Sequence, residues 1–356
     1  MSHEYEVVVV GGGQAGLAMG HHLARRGRRF TILEAASAPA AAWRSRWDSL
    51  RLFTPARHDG LPGLPFPGDP DRYPTRDEVV AYLTDYAERF ELLVELDSRV
   101  RSLRREGGGY ALGLDDRTVS AEAVVVATGP FQVPRVPALA GALDAGVHQL
   151  HSAGYRHPGA LPADGPVLVV GGGNTGFQIA EELAATYEVH LSIGSRQTPL
   201  PQRPLGRDLF TFLTATGLMD KTRDSRIGRR MRGRETLVGS SPRAARRRGI
   251  ALHGRAVAAE GATVRFAGGT AIDPRTVVWA TGFGTDHGWI DVPVFGDRGE
   301  VVHERGVTAS PGLVFLGLSW QHTRGSALLG WVHQDARHLA EHLAARSASS
   351  WRVKLA

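Results

Sequence analysis

Two hexapeptides in this 356-residue chain have the spacing that holds phosphate. GGGQAG at residues 11–16 and GGGNTG at residues 171–176 both read G-x-G-x-x-G, with glycines at Gly11, Gly13, Gly16 and at Gly171, Gly173, Gly176. In such a turn the first glycine lets the chain leave a strand sharply, the second lets the backbone approach a pyrophosphate, and the third lets a helix pack closely on the strand. The intervening residues, Gln14 and Ala15 in one copy and Asn174 and Thr175 in the other, open a helix. Its unpaired N–H groups and positive dipole end face the phosphates. One such motif is weak evidence, because glycine-rich turns are common; two, each between a strand and a helix, are strong.

What stands downstream separates two nucleotides. Glu34, 23 residues after Gly11, ends the apolar stretch FTIL, where a carboxylate can accept hydrogen bonds from a ribose diol. The same count from Gly171 reaches Gly194, and Ser195 and Arg196 follow. A hydroxyl and a guanidinium welcome a 2′-phosphate that a carboxylate would repel. The first copy therefore suits FAD or NAD and the second NADPH. Asn174 is then a candidate catalytic contact on the nicotinamide side, and equally a helix N-cap. The plainer alternatives are an exposed strand-end acid for Glu34 and a surface arginine for Arg196; position within the motif favours the nucleotide.

A repeated plan has to carry these side chains. VVVV at residues 7–10 and VLVV at 167–170 lead as strands into the motifs, and LAMGHHLARRG and FQIAEELAATY continue as helices. A second string recurs behind them, AVVVATGP at 123–130 and TVVWATGF at 276–283. Each is a strand after a hairpin, with turns at Gly107, Gly108 and Gly109 and at Gly268 and Gly269. The small residues Ala127, Thr128, Gly129 and Ala280, Thr281, Gly282 let the chain leave its sheet close to a nucleotide. The strand LVFLGL then leads through Ser319 to Gly325 into a helix from Ser326 onward, whose positive end would face the cofactor. The pattern predicts an α/β fold of two Rossmann-like dinucleotide-binding domains, the NADPH domain inserted in the FAD domain. Residues 1–160 and 280–356 make the FAD domain and 161–279 the NADPH domain, with crossings at Pro158, Pro162 and Pro166 and at residues 282–284.

Composition narrows the class. With 42% apolar and 22% charged residues the chain reads as globular. No apolar run approaches the roughly 18–20 residues of a membrane span. The opening MSHEYE is acidic and carries no signal-peptide core, so a cytoplasmic protein with no membrane partner is expected. Cysteine is absent, which excludes disulfides, thiolate metal sites and a redox-active Cys pair and leaves redox work to a bound cofactor. No metal site is expected: the gap from His333 to His338, with His342 beyond, suits one helical face poorly. Residues 196–255 hold 15 Arg or Lys against 4 Asp or Glu. Without interleaved aromatics this reads as a solvated face around an anionic cofactor, and no nucleic-acid partner is expected.

Taken together, GGGQAGLA, AWRSRWDSLRLFTPARHDGLPGLPFP, YPTRDEVVAYLTDYAERF, HSAGYRHP, VVGGGNTGFQIAEELA, VVWATGF and FLGLSWQHTRGSALLGWVHQDA resemble the flavin-containing monooxygenase superfamily. The resemblance is strongest to its CzcO-type bacterial flavoproteins and the plant YUCCA enzymes, and it runs from residue 7 to residue 336. It implies FAD and NADPH, with Trp43 and Gln321 among the cofactor contacts. NADPH would deliver hydride to FAD, and dioxygen would add to give a C4a-(hydro)peroxyflavin that oxygenates a small organic substrate. The linker keeps His151, Ser152 and Tyr155 but has Ala145 and Val147 where the family's Phe-x-Gly-x-x-x-His fingerprint places Phe and Gly. Ala41 and Ala42 stand in place of a Gly-Gly pair, and Phe53 in place of the Asn of animal enzymes. These departures keep open an NADPH-dependent flavin oxidoreductase or oxidase and, third, a non-enzymatic FAD-binding sensor. His151 reads either as a base or as a residue orienting the linker. Trp43, Trp47, Phe53, Trp320 and Trp331 are candidates to line the substrate pocket, and a homodimer is compatible.

Overall fold

The apolar runs ahead of the two glycine motifs become the innermost strands of two sheets. In the computed structural model, which describes residues 3–232 and 236–354, residues 7–10 are at most 6% exposed and residues 167–170 at most 8%. A strand covered on both faces has no reason to alternate polar with apolar residues, which accounts for VVVV and VLVV.

In the larger sheet Tyr5–Val10 lies parallel between Phe30–Leu33 and Thr118–Val126, with Val7 opposite both Phe30 and Ala123. Thr118–Val126 divides its other edge: the first half pairs antiparallel with Gly109–Gly113 and the end pairs parallel with Leu313–Phe315. The smaller sheet is parallel throughout, in the order Ala251–His253, Val189–Ser192, Val167–Val170, Thr276–Trp279, His148–His151. Its edge strand His148–His151 therefore joins the sheet of the second motif although it precedes Pro158. The expected hairpins are present, with Gly107 and Gly108 turning one and Gly268 and Gly269 the other, all four at positive φ. The molecule is thus mixed α/β with parallel-strand sheets.

Helix Gln14–Ala24 buries Leu17, Met19 and Leu23 against the sheet and against Leu339 and Leu343 of helix Val332–Lys354. Arg76–Arg89 starts with a reciprocal cap, in which the Thr75 hydroxyl accepts the Glu78 N–H and the Glu78 carboxylate accepts the Thr75 N–H at 2.8 Å. The last helix differs from expectation. It begins at Val332, and residues 324–327 form a single 3-10 turn ahead of it. Gly330 supplies the reason, since a Cβ there would lie 1.4 Å from the carbonyl oxygen of His58. The chain must slide past that backbone before a helix can start.

Two short strands connect the sheets. Val133–Pro134 and Phe283–Gly284 pair antiparallel, Phe283 opposite Pro134, and each follows one of the Ala-Thr-Gly strings. Among the described residues no helix is long and apolar enough to cross a membrane, and no cluster of His, Asp or Glu could hold a metal ion.

Candidate functional site

The two glycine turns have nearly the same backbone. Gly11 and Gly171 stand at φ 114° and 136°, a region that disfavours any side chain, and a Cβ on them would meet the carbonyl oxygens of Ala127 at 2.6 Å and Ala280 at 2.1 Å. Gly16 and Gly176 press equally hard, each with a would-be Cβ 1.9 Å from the carbonyl oxygen of Gly11 or Gly171. Gly13 is the exception, because a Cβ there would meet nothing within 4 Å. Its missing side chain opens space in front of the helix and serves no packing need. Gly13 and Gly173 are the N-caps, at φ −82°, ψ −172° and φ −82°, ψ 179°, and neither helix start has a side-chain cap or an acid in its first turn. The cradle is therefore shaped and polarised for an anionic ligand.

Around the first turn, Glu34 is held by the turn itself. Its Oε2 accepts the Gly12 N–H at 2.7 Å and its Oε1 the Ala36 N–H at 3.0 Å. Trp43 donates its indole N–H to Oε1 of Gln14 at 3.0 Å and packs between the two hydrophobic cores. Ala40, at the head of the short helix Ala41–Arg44, is fully buried at φ 59°, so left-handed backbone falls on an alanine next to the Ala-Ala pair. Ala15 is buried under the turn, and Gly317 passes so close that its would-be Cβ lies 3.1 Å from Ala15. Gly129 and Gly282, at φ 71° and 82°, let the chain turn away after Thr128 and Thr281.

Around the second turn, Asn174 is the first helical residue and not the cap. Its side chain clamps the neighbouring strand, donating to the Thr236 carbonyl at 3.1 Å and accepting the Val238 N–H at 2.9 Å. Thr175 is half-buried beside it. Ser195 and Arg196 are exposed, just beyond strand Val189–Ser192. Arg255 joins them from another part of the sequence, donating from Nη2 to the Gly194 carbonyl at 2.8 Å. The pairing of Ser192 with His253 carries it there, and nothing local in the sequence announces it.

Between the cradles, Gln132 donates to Thr128 Oγ1 at 2.8 Å and to the Gly129 carbonyl at 2.7 Å while accepting the Asp286 N–H at 2.8 Å. Thr281 donates to the Arg135 carbonyl. The His151 ring nitrogen Nε2 lies 3.0 Å from the Gly282 carbonyl oxygen, and Phe283 meets its ring edge-on at 4.9 Å. These contacts tie the end of strand His148–His151 to the turn at Gly282, and burial holds the His151 pKa below the usual histidine value. Gln321 is 2% exposed and turned inward, accepting the Leu318 N–H and donating to the Arg305 carbonyl. Of the pocket candidates, Trp47 and Trp331 are buried in the core, Phe53 stacks on Phe210 at 5.5 Å, and Trp320 is half-exposed at φ 56°. Asp59 is fully buried, accepts the Thr54 hydroxyl at 2.6 Å, and leaves Oδ2 without a partner; burial pushes its carboxyl up to about 8.

A sequence profile of the pyridine nucleotide-disulphide oxidoreductases matches residues 8–203. The "Uncharacterized oxidoreductase CzcO-like" of Geobacillus kaustophilus is 41% identical over 342 residues, 95% of this chain and 98% of that protein. The chain belongs to this oxidoreductase family, within the flavin monooxygenase superfamily. It is a flavin-dependent oxidoreductase. The flavin-containing monooxygenase from Stenotrophomonas maltophilia superposes with a TM-score of 0.81 at 30% identity, covering 96% of this chain and 99% of that one. The indole-3-pyruvate monooxygenase YUCCA1 of Oryza sativa subsp. japonica is 37% identical over 180 residues, 49% of this chain and 44% of that protein. The disulphide chemistry in the family's name has no counterpart here, because the chain contains no cysteine.

Proposed function

We propose that this flavoprotein is an FAD- and NADPH-dependent monooxygenase acting on a small organic substrate, with dioxygen as co-substrate. One observation carries the reading. Two cradles of matching backbone differ where a ribose would sit, with a backbone-anchored carboxylate at Glu34 in one and Ser195, Arg196 and Arg255 in the other. A ribose diol suits the first and a 2′-phosphate the second.

In this reading the chain divides into two Rossmann-like units, residues 1–160 with 280–356 for FAD and 161–279 for NADPH, the strand His148–His151 lending its edge to the NADPH unit. Gly11, Gly13, Gln14, Ala15 and Gly16 would seat the FAD pyrophosphate, Glu34 its ribose, and Trp43 with Ala127, Thr128 and Gly129 the approach to the flavin. Gly171, Gly173, Asn174, Thr175 and Gly176 would seat NADPH, with Ala280, Thr281 and Gly282 at its edge. Gln321 would shape the flavin loop from within. When bound, the flavin supplies hydride acceptance from NADPH and activation of dioxygen. The protein's own work is to fix the distance between cradles through Gln132, His151 and the Thr281–Arg135 bond, and to keep water out.

Rapid mixing of FAD-loaded, NADPH-reduced protein with dioxygen tests this. Slow return of the flavin absorbance, with substrate oxygenation and little free peroxide, is expected. Immediate reoxidation with stoichiometric peroxide would instead establish the oxidase reading that Ala145 and Val147 keep open.

A further inference from the structure

Among the described residues most arginines that leave bulk water are matched; Arg324 and the half-buried Arg346 are not. Arg305 pairs with Asp335 at 2.9 Å, Arg76 with Asp48 and Asp77, and Arg156 donates to backbone carbonyls. Arg46 lies 5.0 and 5.2 Å from the ring centroids of Phe131 and Phe283. Arg324 has no carboxylate in ion-pair range, no hydrogen-bond acceptor for its guanidinium and no aromatic face among the described residues. Burial alone lowers its pKa, with no neighbouring charge contributing. The side chain is half-buried, so part of it still reaches solvent. Since a guanidinium cannot shed its proton, an unmatched one is a standing cost until an anion arrives.

Its place on the chain says where that anion sits. Thr323 bridges to Thr222 of the NADPH-side segment, Arg223 donates its N–H to the His322 carbonyl at 2.7 Å, and Gly325 lies against Trp331. Upstream, Gly317 passes Ala15 of the first cradle, and Trp320 holds a half-exposed indole on left-handed backbone. Arg324 thus stands on a loop that touches residues 222 and 223 on one side and follows the turn passing Ala15 on the other. The dinucleotide phosphates already have donors at the two helix starts, which leaves this cation for a third ligand.

We propose that Arg324 receives the carboxylate of a small acidic substrate, a planar fork meeting a planar anion. This rests on the monooxygenase reading. Calorimetric titration of the FAD-loaded protein with phenylacetate against phenylacetamide, and with hexanoate against hexanamide, tests it. The carboxylates should bind at least about tenfold more tightly than the amides. Arg324→Gln should abolish that preference and Arg324→Lys keep part of it. FAD and NADP⁺ affinities should be unchanged, and the thermal midpoint of unliganded Arg324→Gln should not fall. Equal binding of acid and amide by the unaltered protein, unchanged preference in Arg324→Gln, or loss of FAD or NADP⁺ affinity in that variant overturns the proposal. The last outcome would assign the cation to a cofactor. A protein that takes up no FAD defeats the monooxygenase reading separately, and the same titrations on the unliganded protein still decide the role of Arg324.

Discussion

Among single residues, the glycines of the first turn divide cleanly by what a methyl group would strike. Gly16→Ala would drive a Cβ into the Gly11 carbonyl and should lower stability by about 3 kcal/mol, read by chemical denaturation. Gly13→Ala meets no protein atom and should cost no more than the roughly 1 kcal/mol of a poorer N-cap, yet weaken FAD binding in a fluorescence titration. If both variants simply unfold, the open space at Gly13 is not a ligand cradle. Arg196→Ala should cut the preference for NADPH over NADH at least about tenfold, the value of one charge-assisted hydrogen bond, measured as the ratio of the two kcat/KM values. Asp59 bears on pH. Its folded-state value near 8 lies above the unfolded carboxylate, so the folded protein holds the proton longer, and this group subtracts stability as pH rises from about 4 to about 8. Asp59→Asn should therefore gain stability over the parent at pH 8 and lose the gain near pH 4, in paired denaturation curves.

At the level of elements, the glycine turns, the strands before them, the hairpin turns and both Ala-Thr-Gly strings were legible because each is a short-range pattern with a steric cause. What stayed hidden depends on pairing between distant segments. Asn174 reads as a cap or a ligand contact from its neighbours alone, yet strand Thr236–Val238 recruits it as a clamp. Asn174→Ala leaves a carbonyl and an N–H without partners and should cost about 1–3 kcal/mol, seen as a lower thermal midpoint. The late start of the last helix was likewise invisible, because the obstacle at Gly330 comes from His58, far away in sequence. Gln132 and Arg255 escaped for the same reason. Gln321 matched a family string, but its burial shows only in three dimensions.

Over the whole molecule, burial holds ten described histidines below their ordinary value, His22 down to about 4. Below about pH 6.5 the unfolded chain takes up protons that the folded one refuses, so stability should fall steadily as pH drops from about 6.5 through about 4. Denaturation midpoints across that range check it; a flat profile would show that these rings are hydrated in solution. The paired strands Val133–Pro134 and Phe283–Gly284 carry a different consequence. Every strand of the smaller sheet lies between them in sequence and every strand of the larger sheet lies outside. The chain thus leaves the larger sheet's strands and returns to them through next-door neighbours, about 5 Å apart. A short turn spliced across that doorway would leave the larger sheet with its full set of strands but strip Trp47, Leu50 and Trp331 of the buried partners that the excised segment supplies, so the two parts are joined by packing as well as by the chain.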